Sequence, residues 1–289
     1  MTSNKSPAPD RAKDPQDQQD LDEDDLPTGS SAGILEPTTA ADRALEAQAA
    51  LAAAFEPARL LHQGNGIIAL DKPAGIPVHQ GTNHPMGLAE ALDQALRERP
   101  HLFRVRPARV VAPLHRIDRE ASGVTLFGLE DGAAAAVQAA FAGGLMSKRY
   151  IALVAGPVRD RGRIKGKVRT KLRGVYKWLP AQLEYRRLTG DERLSLVEVI
   201  PHEGRTHQIR SLFAGADRPL AGDLRFGKPK PARQFLEKFG IPGLLLHARE
   251  LVVPEGVLGP RLTLRAPVPE TFLRVLREKG WIFPEDGNF

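Results

Sequence analysis

The chain has 289 residues, 42% of them hydrophobic, a net charge of +6 and no cysteine. That allows one large or two modest domains with a sizeable core, and it excludes disulfides, thiolate catalysis and cysteine-based zinc or iron–sulfur sites. No apolar run approaches the roughly 18 residues that cross a bilayer, and no signal-peptide core opens the chain, so no membrane association and a cytoplasmic location are expected. Residues 1–25 carry eight acids against Lys5, Arg11 and Lys13, a net of −5, which leaves +11 on the remainder. A body that basic points to a polyanionic partner, because neutralised phosphates release counterions.

Residues 1–33 are rich in Pro, Asp, Gln, Ser and Gly, with few large apolar side chains, and are expected to form a disordered acidic tail. Residues 34–62 are expected as a helical extension. Ala44, Leu45, Ala49, Leu51, Ala52 and Phe55 recur at near-helical spacing, Thr39 or Asp42 can cap the helix, and Pro57 ends it. Residues 66–70 read as a short buried strand and 71–75 as a turn. Residues 88–96 have helical periodicity, and an apolar Val110-Val111-Ala112 delivers the chain to His115.

There the sequence turns into a polar island, closed by the strand-like Val124-Thr125-Leu126-Phe127. Residues 132–141 read as an alanine-rich helix stopped by Gly143-Gly144. Residues 148–155 read as a strand with Tyr150, Ala152 and Val154 on one face. Every odd position from Arg159 to Arg173 is basic. Extended, that stretch puts all its charge on one face of a ribbon, which suits phosphate tracking and equally the protection of a sheet edge.

Residues 181–185 and 194–200 read as an antiparallel pair around the turn 189–192. A helix begins within 202–210, residues 229–233 read as a basic loop, 244–247 and 262–264 as strands, and 269–279 as the last helix.

Within the island, Asp118 stands between Arg116 and Arg119 and is followed by Ser122-Gly123. A positive neighbour favours the ionised carboxylate, which suits a nucleophile or charge stabiliser better than a proton donor. The run Arg116-Ile117-Asp118-Arg119 also describes a surface ion pair of no consequence. Tyr150, taken alone, is a half-buried strand residue with its hydroxyl at the surface. His115, Asp118, His202 and His207 offer four N/O donors, but their spacing matches no metal motif. A Ser122–His115–Asp118 triad lacks the nucleophile-elbow context. Neither a P-loop nor a dinucleotide fingerprint is present.

Six blocks occur in order: Lys72-Pro73-Ala74-Gly75, His115-Arg116-Ile117-Asp118-Arg119-Glu120-Ala121-Ser122-Gly123, residues 148–156, Gly204-Arg205-Thr206-His207-Gln208-Ile209-Arg210, Leu220-Ala221-Gly222-Asp223 and Leu245-Leu246-His247-Ala248. Together they resemble the RluA-type pseudouridine synthases over residues 60–285, with Ile117 where Leu is usual and Ala121 where Thr is usual. The resemblance implies a catalytic domain over 63–285 with a mixed α/β (α+β) fold: a largely antiparallel sheet, flanking helices and a central active-site cleft. It implies an isomerase that turns uridines of rRNA or tRNA into pseudouridine with no cofactor and no metal.

By the same resemblance Asp118 is the catalytic carboxylate, Tyr150 packs against the target base and Arg210 pairs with Asp118. Arg116 fills the space left by the extruded nucleotide, and His115, Lys148, Arg205 and His207 contact RNA. The chain is similar to the branch without a separate S4 RNA-binding module, and a monomer is expected. The alternative is an inactive RNA-binding relative, since Ala121 lacks a hydroxyl that would brace the turn.

Overall fold

Most apolar stretches with a period of two pair into one sheet. The computed structural model describes residues 59–80, 86–104, 112–172 and 174–284. The acidic tail, nearly all of the helical extension and Val110-Val111 lie outside the described residues. Ten strands are present among those described: β1 (Leu60–Gly64), β2 (Ile67–Lys72), β3 (Ala112–Pro113), β4 (Ser122–Gly128), β5 (Ser147–Ala155), β6 (Arg161–Leu172), β7 (Val175–Gly190), β8 (Leu194–Pro201), β9 (Leu246–Val253) and β10 (Leu262–Arg265). The last residues assigned to the helical extension therefore belong to β1, which hydrogen-bonds β2.

The order across the sheet is β1-β2-β4-β9-β5-β8-β7-β6, with β3 on β4 and β10 on β9. Among the named strands, the one parallel pairing is β4 with β9, and it lasts for two residues, Ser122↔His247 and Gly123↔Ala248. Beyond that contact β3 takes up the edge of β4 and β10 that of β9. The sheet thus parts near its middle, and each freed edge is covered by a short strand.

Residues on alternate sides of each strand feed different cores. On one face Ile68 and Leu70 pack with Leu88, Leu92 and Leu96 of α1 (Leu88–Glu98), and Val197 and Val199 with Ile209, Leu212 and Phe213 of α3 (Gln208–Gly215). On the other, Ile67 and Ala69 pack with Val137 and Ala140 of α2 (Asp131–Ala142). Ile151 and Leu153 meet Leu236 and Phe239 of α4 (Pro229–Phe239) and Phe272 and Leu276 of α5 (Glu270–Lys279).

Residues 229–233, expected as a loop, open α4. Proline is tolerated in a first helical turn, where its missing N–H has no intrahelical partner to lose. Ala232, Leu236 and Phe239 then form the buried stripe.

Candidate active site

The segment carrying Asp118 crosses from β3 to β4, directly before the point where the sheet parts. It is clamped from below. The Lys72 ammonium, fully buried, donates to the carbonyls of Pro73 (2.9 Å), Ile76 (2.6 Å) and Arg119 (3.0 Å). The Gly75 N–H donates to the same Arg119 carbonyl at 2.8 Å, and Ala121 N–H to the Asp118 carbonyl at 3.1 Å. Gly75 has φ +89, a left-handed conformation suited to glycine. Burial pushes the Lys72 ammonium down to about 7, against the pull of Glu120, Asp118 and Asp71.

The guanidinium beside Asp118 comes from far along the chain. Arg210, 3% exposed in the first turn of α3, places Nη1 3.5 Å from Asp118 Oδ2 and 3.1 Å from Glu120 Oε2. Its Nε and Nη2 donate to Asp223 Oδ2 and Oδ1 at 2.8 and 3.0 Å. Asp223 also accepts the N–H groups of Arg225 and Phe226, each at 3.0 Å. The Phe226 ring lies 5.1 Å from the guanidinium carbon. Burial opposes charge on Arg210, yet Asp223, Asp118 and Glu120 hold its pKa above the ordinary value. Burial likewise opposes the Glu120 carboxylate, which Arg210 and Arg119 hold below the usual range.

The guanidinium placed on the Asp118 carboxylate is thus that of Arg210. Arg119 turns onto Glu120, with Nε and Nη2 at 3.1 and 2.9 Å from Oε1, and Arg116 is exposed.

A cleft of about 670 Å³ opens in front of Asp118. Arg116, His115, Tyr150, Lys148, Arg205 and His207 all line it with Asp118, while Arg210 stands behind the carboxylate. Burial and the negative charge of Asp118 raise the Tyr150 phenol above its ordinary pKa, so it stays protonated at neutral pH. Burial and the nearby Lys148 push His115 down to about 4, leaving a neutral imidazole 5.1 Å from the Phe141 ring. Burial lowers the Lys148 ammonium too, and it donates to the Glu203 carbonyl at 2.5 Å.

The far wall is tied to β7 through backbone and side chains together. Gln208 Nε2 donates to the Gln182 carbonyl (2.9 Å) and Glu203 Oε2 (2.7 Å), while its Oε1 accepts the Arg205 N–H at 3.0 Å. His207 occupies the left-handed region at φ 53, with its ring 5.3 Å from Phe226.

The competing constellations do not assemble. Ser122 Oγ lies 2.9 Å from Nδ1 of buried His247, on the far side of the strand junction, so the Ser122–His115–Asp118 triad is not the arrangement present. His115, His202 and His207 share the cleft, but no three His, Asp or Glu side chains among the described residues are grouped to hold a metal ion. Sequence reasoning places Lys72, Glu120, Gln208 and Asp223 inside motifs without giving them a part. Glu203 falls in the run that opens the helix, also without a part, and Phe226 is missed altogether. Their only signal is spacing to residues that meet them in the fold.

The chain matches the family model described as RNA pseudouridylate synthase over residues 66–215. It is 30% identical over 245 residues to tRNA pseudouridine synthase C of Vibrio vulnificus (strain CMCP6), covering 77% of this chain and 95% of that one. It is 31% identical over 215 residues to ribosomal large subunit pseudouridine synthase C of Vibrio cholerae serotype O1 (strain ATCC 39315 / El Tor Inaba N16961), covering 72% and 65%. Among solved structures it is similar to Human RNA Pseudouridylate Synthase Domain Containing 4, with a TM-score of 0.66, 24% identity and coverage of 84% of this chain and 100% of that one.

Proposed function

The chain belongs to the RNA pseudouridylate synthase family, of the RluA type, and on that premise we propose that it isomerises uridine in RNA with Asp118 as the catalytic carboxylate. The reaction breaks the N-glycosidic bond, turns the base and rejoins it through carbon, so atoms balance within the nucleotide and no cofactor is consumed. One observation carries the assignment of roles: Asp118 faces the cleft with the Arg210 guanidinium 3.5 Å behind it. A carboxylate held against a fixed cation stays available as an anion beside the reacting sugar and base.

Tyr150, protonated and in the same cleft, supports a packing part against the uracil ring rather than a proton-accepting one. Arg116, exposed at the cleft wall, suits stacking into the gap that an extruded nucleotide leaves. His115, Lys148, Arg205 and His207 complete a polar wall for phosphate and ribose.

For the substrate, we favour tRNA. The match to the Vibrio vulnificus relative named for tRNA covers 95% of its length, against 65% of the relative named for ribosomal RNA. We also propose that it acts as a monomer and in the cytoplasm, the compartment of its RNA substrate.

The test is Asp118→Asn, which keeps shape and removes charge. It should abolish pseudouridine in tRNA mapped from cells lacking the wild-type gene while RNA affinity and fold persist. Wild-type pseudouridine levels in that variant would sink the assignment.

A further inference from the structure

The β6–β7 hairpin carries a surface that the catalytic roles leave unused. β6 is the outermost strand of the sheet, and its alternation is strict: Ile164, Val168 and Thr170 are buried, while Arg161, Arg163, Lys165, Lys167 and Lys171 are exposed. Ile164 and Val168 join the core with Leu212 and Phe213, which fixes the register and forces the cations outward.

Cross-strand pairing puts Lys165 opposite Gln182, Arg169 opposite Trp178 and Lys171 opposite Tyr176. Directly opposed residues share a face. Trp178 and Tyr176 are 42% and 38% exposed, and the Arg169 guanidinium lies 4.1 Å from the Tyr176 ring centroid.

This face meets the cleft at one place. His202 lines the cleft, and its Nε2 is 3.4 Å from both Gln182 Nε2 and Glu184 Oε1 on the outer face of β7. From Gln182 to Trp178 is four strand residues, about 14 Å at a rise of about 3.4 Å each. Alternate cations on β6 stand about 7 Å apart by the same rise, and aromatic rings lie among them.

We propose that this hairpin face is a docking surface for single-stranded RNA flanking the target uridine, with Trp178 and Tyr176 stacking unpaired bases and the β6 lysines holding phosphates. Charge complementarity argues for a polyanion, and the interleaved rings for an unpaired strand, since bases inside a duplex have no free face to stack. The inference rests on RNA being the substrate.

The test uses the full chain in a Trp281→Phe background, which leaves Trp178 as the single tryptophan. Titration with a short single-stranded, uridine-containing oligoribonucleotide should quench the Trp178 fluorescence, whereas a blunt duplex of the same sequence should not. Trp178→Ala should weaken single-strand binding roughly 5- to 100-fold, and Ile282→Ser, 87% exposed elsewhere, should leave it as it was. Lys167→Ser with Lys171→Ser should reduce the slope of log affinity against log salt by about 0.7 for each phosphate no longer neutralised.

Unchanged affinity in Trp178→Ala together with no quench would overturn the proposal. So would quenching that follows protein concentration without RNA, the mark of a second copy on this face. Pseudouridine formation is scored on the same preparations. Wild type that binds and quenches but makes no pseudouridine fails the activity reading and leaves the hairpin surface standing, whereas an active wild type without quench does the reverse.

Discussion

Arg210 spends two of its nitrogens on Asp223, at 2.8 and 3.0 Å, and turns a third toward Asp118 at 3.5 Å. The aim of the guanidinium at Asp118 is therefore set by a residue that never faces the cleft. Asp223→Asn removes the charge that holds the fork and leaves a buried cation short of a partner. Breaking such a pair costs about 3–5 kcal/mol of stability, and a misplaced catalytic neighbour costs roughly 100-fold in rate. Urea unfolding and single-turnover pseudouridine formation at saturating RNA measure the two separately. Arg210→Lys retains the positive charge without the fork and should also lose rate. Full rate in both variants would remove Arg210 from the chemistry.

Tyr150 separates ring from hydroxyl. Its phenol is held above the ordinary pKa by burial and by Asp118, so it is no proton acceptor at neutral pH. Tyr150→Phe loses at most one hydrogen bond, about 0.5–1.5 kcal/mol, and should keep its rate within about tenfold with the wild-type pH profile. Tyr150→Ala removes a stacking surface worth about 1–3 kcal/mol and should fall further. An inactive phenylalanine variant, or one with a displaced pH optimum, would give the hydroxyl a chemical part.

How much of the fold and site is legible in the chain alone divides along physical lines. The unbroken apolar run Ile67-Ile68-Ala69-Leu70 announces a short strand buried on both faces, and the alternating cations of β6 announce one buried on a single face. The polar wall of the cleft is legible through motif order. Partners are not. Asp118 has two arginines within two positions in the chain, yet the guanidinium of Arg210, 92 residues later, also reaches it. Lys72 looks like a turn residue beside Pro73, and only the tertiary structure folds three carbonyls over it. Pro229 and Pro231 hide α4, since prolines that open a helix and prolines in a loop look alike until the Ala232, Leu236 and Phe239 stripe finds its core.

Gly123 fixes where the catalytic segment enters the sheet. It has φ +113, and a Cβ there would lie 2.3 Å from the Ala248 carbonyl oxygen and 2.7 Å from its nitrogen, both backbone atoms that cannot swing aside. Gly123→Ala combines backbone strain of about 1–3 kcal/mol with overpacking of about 1–3 kcal/mol. A loss of about 2–6 kcal/mol in chemical denaturation is expected, with the β4–β9 contact prised apart. A loss below about 1 kcal/mol, the low end of either cost, would mean that the two-residue parallel junction yields readily and does not anchor Asp118.

Lys72 gives the site a pH dependence with opposite signs for stability and activity. Three carbonyls need three N–H donors, which the ammonium has and the neutral amine lacks. Burial brings its pKa from the ordinary 10.5 to about 7 in the folded chain. Between those values the unfolded chain binds a proton that the folded chain has shed, so this group's contribution to stability rises with pH, by at most about 1.4 kcal/mol per unit. It is fully present above 10.5 and lost as pH falls to about 7. Over the same rise one clasp bond lapses, the Asp118 segment loosens, and the rate should decline above about pH 7. Lys72→Met carries no titrating group, so the gap between wild-type and variant unfolding free energies should change steadily from about pH 7 to about pH 9 in favour of wild type. Titrations of groups remote from Lys72 cancel in that difference, and two parallel curves would show that Lys72 keeps its proton throughout.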